Sequence, residues 1–445
     1  MKRIFFLLSL LFISFAGSAQ DEKKLLKDAG DLLALLKSGQ YDKIVAQLDT
    51  GNSAKLDSAR IGSSWRNIQK RTGPFVKVID TTYDHQPNYD VVYLTSLFGE
   101  KKVDVKFVFG RSGKLKGIFY LPTDGPERYK NPPYFKPALF DEIYTEIENG
   151  DYNLKCILTI PKLSGSKVPL VILVHGSGPN DKDESVGATK VFRDLAVGLA
   201  ANGIAVLRYD KRTRSYGAVL ARKKAVITPE EETIQDAVVA FKIANDEPRI
   251  DASRIYYLGH SLGAFLLPEI VKRAPSTNGM IYFSPQGRKL EDVFLAQADY
   301  ILRNDTAKQK DRTTVMDSLS KEAAKVKSLK PSNANDPGKI MGMQPAYWVY
   351  LNNYNPFALA KEIQKPMLFL HGERDYQITQ EDLKLWQTTL NDKPAVTYKT
   401  YPQLNHFFIK GNGKSVPAEY SKAGNVEEVV VLDIASWIKT GTLTK

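Results

Sequence analysis

The fold of this chain is decided by residues 255–267, which read IYYLGHSLGAFLL. An apolar run typical of a buried strand leads into Gly259, and a run that can begin a helix follows Gly263. The five residues between them have the pattern glycine-x-serine-x-glycine, which is informative only between a strand and a helix. Because both are present, we predict a strand, a sharp turn and a helix, with Ser261 Oγ exposed at the turn.

The same alternation of strands and helices extends over most of the chain. Apolar runs at 168–174, 203–209, 280–283, 366–370 and 396–401 read as strands, and 192–202, 230–245 and 426–440 read as helices. Strands that alternate with helices specify a parallel, doubly wound sheet. We therefore predict an α/β domain over residues 139–445, with a mostly parallel sheet.

The alternation stops between Gly287 and Pro356. Residues 290–302 and 312–329 have helical periodicity, which predicts a helical cap inserted at about 288–355. The aromatic residues Tyr347, Trp348 and Tyr350 are candidates for an acyl or alcohol pocket. Packing of the cap against the core is the alternative interpretation of the same three residues.

A smaller unit precedes the α/β domain. Helical patterns at 24–36, 41–48 and 57–70 come before four strand-like runs that end near residue 121. This order predicts a small α+β domain over residues 20–122. Residues 123–138 are rich in proline and turn formers, which is typical of a linker.

The first 19 residues have the features of a secretory signal peptide. Met1-Lys2-Arg3 is positively charged, residues 4–15 are apolar, and Gly17-Ser18-Ala19 offers a cleavage site. The apolar run is too short for the roughly 20 residues that span a bilayer. We therefore expect an exported protein, periplasmic or secreted, without an integral membrane span. Its one cysteine, Cys156, lies in an alternating strand and reads as a buried structural thiol.

Composition excludes several partners and leaves others open. The formal net charge is +12, but the basic residues are scattered rather than gathered in one stripe, so we expect no nucleic-acid binding. The sequence has no cluster with metal-ligand spacing, so we predict no metal site and no cofactor. It does not determine the oligomeric state.

A serine nucleophile needs a base, and histidine is the best-matched one. Of the five histidines, His85 lies in the N-terminal unit, His175 and His371 end buried strands, and His260 adjoins the nucleophile on a tight turn. His406 remains, on a loop after the last strand. We predict it as the catalytic base.

The base needs an acid that orients it. Asp375, which follows the strand ending at Leu370, is the favoured acid, Glu373 is second, and Asp382 is less favoured because it reads as a helix start. The order serine, acid, histidine is then Ser261, Asp375, His406.

The oxyanion hole needs two backbone N–H groups. We predict one from Leu262, directly after the nucleophile, and one from the glycine-rich loop after residue 174. In that loop Ser177 is the first choice and Gly178 the second. Pro179 is excluded because it has no N–H.

These motifs occur in order: HGSGP at 175–179, RYDKR at 208–212, GHSLG at 259–263, HGERD at 371–375, and His406. Together they resemble the exported bacterial serine esterases of the α/β-hydrolase superfamily, with dienelactone hydrolases and the catalytic domains of prolyl-oligopeptidase-like enzymes nearest. Residues 212–217 depart from the resemblance, since they read RTRSYG where relatives have Arg-Gly-x-Gly-x-Ser, and we expect a bulkier and more basic loop there. The N-terminal unit resembles the small nuclear-transport-factor-like domains found ahead of some exported hydrolases.

The leading functional hypothesis is a serine esterase that forms an acyl-enzyme and acts on a small-molecule ester. A peptidase or amidase that acts on short peptides with the same three residues is the second hypothesis. A binding protein on a hydrolase scaffold that has lost its activity is the third. The resemblance implies the fold and the triad, and it leaves the substrate open.

Overall fold

The computed structural model describes residues 19–49, 56–86, 89–123, 127–162, 166–305 and 309–444. Apart from Ala19, the predicted signal peptide lies outside these residues, so it stays a prediction. No helix within the described ranges combines the length and the hydropathy needed to cross a bilayer.

Three helices and a four-stranded antiparallel sheet form the N-terminal unit. The sheet has the strand order β1-β2-β3-β4. Leu32, Trp65 and Phe107 are among the residues that the helices and the sheet bury between them. The elements are α1 (Ala19–Lys37), α2 (Tyr41–Val45), α3 (Ser58–Thr72), β1 (Phe75–Gln86), β2 (Tyr89–Phe98), β3 (Lys101–Gly110) and β4 (Leu115–Pro122).

An eight-stranded sheet forms the second unit. Its order is β14-β13-β12-β11-β7-β10-β6-β5, and the pairs from β10 through β7 to β14 are parallel, whereas β6 pairs antiparallel with both neighbours. Its strands are β5 (Phe140–Asn149), β6 (Tyr152–Pro161), β7 (Val168–Val174), β10 (Ala205–Tyr209), β11 (Ile250–His260), β12 (Gly279–Phe283), β13 (Met367–Gly372) and β14 (Val396–Tyr401). A separate two-stranded hairpin consists of β8 (Ser185–Val186) and β9 (Thr189–Lys190).

Helices cover both faces of this sheet, and each face has its own core. All seven residues of β7 are buried; Leu170, Ile172 and Val174 belong to one core, whereas Val171 and Leu173 belong to the other. A strand covered on both faces reads as a continuous apolar run, which explains its sequence. The helices outside the insertion are α4 (Val191–Ala201), α5 (Arg212–Arg222), α6 (Gln235–Asp246), α7 (Leu262–Arg273), α12 (Gln380–Thr389) and α13 (Glu428–Thr440).

The insertion between β12 and β13 is helical. It contains α8 (Leu290–Asn304), α9 (Arg312–Ser328), α10 (Pro345–Asn353) and α11 (Pro356–Glu362). The predicted α/β fold, a mostly parallel doubly wound sheet with a small α+β unit ahead of it, is confirmed by this topology.

Residues 212–217, interpreted above as a bulky basic loop, begin α5 instead. The Arg212 side chain is almost fully buried, because its guanidinium donates to Asp236 Oδ1 at 2.6 Å and lies 4.5 Å above the Tyr152 ring. The other basic residue of this stretch, Arg214, is exposed.

The N-terminal sheet contacts the linker and the α/β unit through polar groups. The Arg128 guanidinium lies 3.4 Å from the centre of the Tyr93 ring, and Arg128 Nε donates to Asp104 at 2.9 Å. In addition, Lys190 of β9 lies 3.6 Å from Asp84 of β1. The Lys190 contact connects the N-terminal sheet to the segment that follows the loop at 175–184.

Candidate active site

The turn after β11 holds Ser261 in a strained backbone conformation. Its φ is 53° and its ψ is −115°, a region that residues with a side chain rarely adopt. A Cβ on Gly259 would lie 2.6 Å from the Ala264 nitrogen. One on Gly263 would lie 2.3 Å from the Val174 oxygen. Only glycine fits at these two positions, which are the second-last residue of β11 and the second residue of α7.

His406 and Asp375 form a buried pair. His406 Nδ1 lies 2.7 Å from Asp375 Oδ2. The other carboxylate oxygen of Asp375 accepts the N–H groups of Gln377 at 2.8 Å and Ile378 at 2.9 Å. Burial alone would raise the pKa of Asp375, but His406 and the Ile378 N–H hold it below its ordinary value. An ionised Asp375 accepts a hydrogen bond from the Nδ1–H group, which favours the tautomer of His406 in which Nε2 has a lone pair.

The two other candidate acids are bound elsewhere. Glu373 is exposed and accepts a hydrogen bond from Thr400 Oγ1 at 2.8 Å. Asp382 is buried at the start of α12, where it accepts the N–H of Thr379 and forms an ion pair with Arg288. Of the three candidates, the structure brings Asp375 to His406.

His175 and His371 have the structural positions expected at strand ends. His175 Nε2 lies 3.0 Å from the Asp181 carbonyl oxygen, and burial lowers the pKa of His175 to about 4. Burial also lowers the pKa of His371. Both rings are therefore neutral near pH 7.

Of the three predicted oxyanion residues, Ser177 lines the same cavity as Ser261. Leu262 is the first residue of α7, where the N–H has no partner within the helix. Ser177 and Gly178 lie in the loop after β7, which we call the oxyanion loop (residues 176–179). Within it, the Gly176 N–H donates to Glu184 Oε1 at 2.7 Å, so this donor is occupied.

A buried lysine that sequence reasoning missed holds the oxyanion loop. Lys211 Nζ donates to the carbonyl oxygens of Gly176 at 2.8 Å and Gly178 at 3.0 Å. Its side chain is 1% exposed, and Glu232 lies 3.6 Å away. Lys211 belongs to the RYDKR motif, but a lysine after a strand gives no signal in one sequence that it reaches back to another loop.

A second missed feature is the buried pair of Glu184 and His260. His260 Nδ1 lies 3.0 Å from Glu184 Oε2, and His260 Nε2 lies 3.2 Å from the His406 carbonyl oxygen. Both neighbours are acceptors, so the ring satisfies them only when both nitrogens carry protons. Burial opposes that charge, but Glu184 and the His406 carbonyl raise the pKa of His260 above its ordinary value. The pair thus links the oxyanion loop to the loop that carries His406.

Ser261 and His406 line one cavity of about 290 Å³. Helix α8 of the insertion contributes an apolar side formed by Leu290, Val293 and Phe294. Gln297 of the same helix also lines the cavity. Gln286, Gln377 and Asn180 add amide groups to the wall. The insertion therefore forms part of the wall around the candidate nucleophile.

The three aromatic residues named as pocket candidates lie away from the cavity of Ser261. Tyr347, Trp348 and Tyr350 are not among the residues that line this cavity. Trp348 is fully buried in the core, where its indole N–H donates to the Ile340 carbonyl at 2.7 Å. Tyr347 lines a neighbouring cavity beyond the oxyanion loop. Tyr347 and Trp348 belong to the core on one face of the sheet, and Tyr350 packs against that core.

A family model described as serine aminopeptidase, S33, matches residues 166–410. The chain belongs to the serine aminopeptidase S33 family. The match spans the oxyanion loop, the turn at Ser261 and the loop with His406. A family of unknown function, DUF3887, matches residues 29–118 of the N-terminal unit.

Among curated proteins, Esterase EstD of Thermotoga maritima is 34% identical over 404 residues, which cover 91% of this S33 chain and 92% of that protein. Est1E from Butyrivibrio proteoclasticus is a similar solved structure, with 17% identity, a TM-score of 0.42, and coverage of 60% of this chain and 90% of that chain. A puromycin-hydrolyzing peptidase of Mycobacterium tuberculosis has 15% identity, a TM-score of 0.45, and coverage of 83% and 48%.

Proposed function

We propose that this protein is a carboxylic ester hydrolase in which Ser261 is the nucleophile, His406 the general base and Asp375 the acid that orients the base. One observation carries the proposal: the strained Ser261 and the Asp375-bound His406 line the same cavity. Family membership supports a serine hydrolase, and the relative named as an esterase supports ester cleavage.

The proposed reaction proceeds in two halves. Ser261 Oγ attacks the ester carbonyl carbon while His406 Nε2 takes the hydroxyl proton. The resulting imidazolium is stabilised by the ionised Asp375 and then gives its proton to the leaving alcohol as the C–O bond breaks. Water, deprotonated by His406, next attacks the acyl-enzyme; the acid leaves and the proton returns to Ser261.

The N–H groups of Leu262 and Ser177 are the proposed oxyanion donors, with Gly178 as the alternative to Ser177. The N–H of Leu262 stands at the positive end of the α7 dipole, which favours a developing negative charge. Gly176 is not proposed, because Glu184 accepts its N–H at 2.7 Å. Lys211 and Glu184 then act as supports that hold the loop in a conformation suited to the tetrahedral intermediate.

The charge of the cavity favours an ester over a peptide amino terminus. An aminopeptidase needs an anion that binds the α-ammonium group of its substrate. The one carboxylate that lines this cavity is Glu184, and its two oxygens are bound to the Gly176 N–H and to His260. We therefore propose ester cleavage as the main activity, with peptide cleavage as the second candidate because the family description names aminopeptidases.

The amide groups around the cavity indicate a polar alcohol group in the substrate. Gln286, Gln297 and Gln377 line this cavity. Each side-chain NH2 already donates one hydrogen bond within the protein, which leaves a second N–H and the amide oxygen for a substrate. At about 290 Å³ the space is at the lower end of small-molecule sites. We propose that the leaving alcohol occupies this cavity and that hydrogen-bonding substituents on it improve binding.

A substrate panel tests the assignment. Purified protein should hydrolyse p-nitrophenyl butyrate much faster than alanine p-nitroanilide, and Ser261→Ala should abolish the ester activity. Ser253→Ala, an exposed serine near the start of the same strand, is the matched control and should keep full activity. Unchanged activity in the Ser261 variant contradicts the mechanism, and faster anilide cleavage reverses the preference. A folded protein inactive on the whole panel would indicate a binding protein.

We also propose export of the protein through a signal peptide at residues 1–19, and a nuclear-transport-factor-like character for the N-terminal unit. The charged start and short apolar run support the first proposal. The order of three helices and four antiparallel strands supports the second. Amino-terminal sequencing of the protein from the host envelope or medium tests export, with cleavage after Ala19 as the expected result.

A further inference from the structure

A second cavity lies on the other side of the oxyanion loop. It has a volume of about 580 Å³ and is formed between α5, the chain that follows α5, and residues 339–347 of the insertion. Ser177, Gly178 and Pro179 form one of its walls. Ser177 lines the cavity of Ser261 as well, so the two spaces meet at a proposed oxyanion donor. We call the second space the α5 cavity.

The lining of the α5 cavity is mainly hydrocarbon. Leu220, Ala221, Ile227 and Met343 are among its lining residues. Its carboxylate Glu232 is engaged, since it accepts the Tyr347 hydroxyl at 2.8 Å and lies 3.6 Å from Lys211 Nζ. Lys224 and Lys339 also line the cavity, but both are exposed, so their charged ends can stay in water. A concave wall that is mainly apolar favours an apolar ligand.

The rim of the α5 cavity is also tied together by polar contacts. Gln344 of the insertion accepts the Ile227 N–H at 2.9 Å and donates to the Ala225 carbonyl at 3.1 Å. Lys211, which donates to Gly176 and Gly178, lies 3.6 Å from Glu232 of the lining. The α5 cavity therefore contacts the lysine that holds the oxyanion loop.

We propose that the α5 cavity is the subsite for the acyl chain of the ester, and that the substrates are esters of a medium-length hydrocarbon acid with a polar alcohol. The carbonyl would then lie at Ser177 and Leu262, with the chain on one side of the oxyanion loop and the alcohol on the other. The proposal rests on the proposed function, because it takes Ser261 as the nucleophile.

Gly217 offers a direct way to fill the α5 cavity. It lines the cavity from α5, and a Cβ added to it meets no atom within 4 Å. Leucine is a better helix former than glycine, so Gly217→Leu should fold and place its side chain in the cavity. Ala218, the next residue, is exposed, and Ala218→Leu is the matched control on the outer side of the same helix.

The experiment measures kcat/KM for p-nitrophenyl acetate, butyrate, hexanoate and octanoate. In the wild type each buried methylene should raise kcat/KM by up to about four-fold. Gly217→Leu should lower the octanoate value at least ten-fold and keep the acetate value within two-fold. Ala218→Leu should behave as the wild type.

A second series, the acetates of alcohols of increasing alkyl length, distinguishes the acyl side from the alcohol side. Its chain-length dependence should be unaffected by Gly217→Leu. An unchanged ratio of octanoate to acetate in the Gly217 variant overturns the subsite, and an effect confined to the alcohol series overturns its assignment to the acyl chain. The proposed function fails separately, if Ser261→Ala keeps activity on acetate.

Discussion

Replacing Glu184 with glutamine removes one charge from the buried pair with His260 while the shape is kept. The glutamine oxygen can still accept the Gly176 N–H, and its amide can donate to His260 Nδ1. His260 then needs a single ring proton, which Nε2 donates to the His406 carbonyl. We therefore expect Glu184→Gln to fold with a neutral His260 and with the oxyanion loop in place.

The cost of this change depends on pH. The raised pKa of His260 contributes stability that is full below its ordinary value of 6.5 and is lost as pH rises through the folded value. The lowered pKa of Glu184 contributes stability that is present above its ordinary value of 4.5 and is lost as pH falls through the folded value. The pair is thus most stabilising between about pH 4.5 and 6.5.

The expected loss of unfolding free energy in Glu184→Gln follows from the burial of the pair. The side chains of His260 and Glu184 are 2% and 3% exposed, and removing one partner of such a pair costs about 3–5 kcal/mol. Because His260 can release its proton in the variant, we expect the lower end, about 3 kcal/mol at pH 5.5. At pH 9 we expect about 1 kcal/mol, the difference between a charged and a neutral hydrogen bond.

Urea unfolding followed by tryptophan fluorescence at the two pH values measures both free energies. Glu373→Gln, a change at an exposed carboxylate, is the control and should cost less than about 0.5 kcal/mol at either pH. Glu184→Ala should also lower kcat about 100-fold, because the Gly176 N–H loses its acceptor and the oxyanion loop loses a support. Equal losses at pH 5.5 and pH 9 in Glu184→Gln would refute a charged His260.

Three further predictions concern other buried side chains. Lys211→Met should lower kcat about 10- to 100-fold with little change in KM, because the carbonyls of Gly176 and Gly178 lose their charged donor; steady-state kinetics check this, and unchanged kcat would contradict it. Asp194→Asn, at a buried residue of α4, should change the pH dependence of stability. Burial raises the pKa of Asp194 from 3.8 to about 7, so the folded protein holds a proton that the unfolded chain releases. The unfolding free energy of the wild type should therefore fall by about 2–3 kcal/mol as the pH rises from 5 to 7. The neutral variant should lack this loss in thermal melts, and parallel curves would refute the raised pKa. Trp348→Ala should cost about 3–5 kcal/mol of unfolding free energy and leave KM for p-nitrophenyl acetate unchanged; a large KM change would return Trp348 to the substrate site.

Features that depend on neighbouring residues or on the order of the strands could be predicted from the sequence. The turn at Ser261 needs glycine at two positions because backbone atoms lie within 3 Å of where a Cβ would be, and such a constraint is visible in five residues. The buried strand β7 appears as a continuous apolar run for a similar reason. Asp375 could be placed near His406 because both follow adjacent parallel strands, β13 and β14, at the same edge of the sheet.

Contacts between distant segments could not be predicted. Glu184 reaches His260 across 76 residues, and Lys211 reaches Gly176 across 35; neither pairing leaves a periodic pattern. The place of Trp348 in the core could not be predicted, because aromatic residues give the same signal whether they face a ligand or a core. Helix α5 was missed because the buried charge of Arg212 and the exposed charge of Arg214 look alike in the sequence.

Covalent labelling of Ser261 tests the central claim most directly. The protein is treated with a fluorophosphonate, which reacts with an activated serine, and the adduct is located by mass spectrometry of peptides. We predict one adduct per chain, on the peptide that contains Ser261, together with parallel loss of ester hydrolysis. An adduct at another residue, or full ester hydrolysis by a protein labelled at Ser261, would contradict the account.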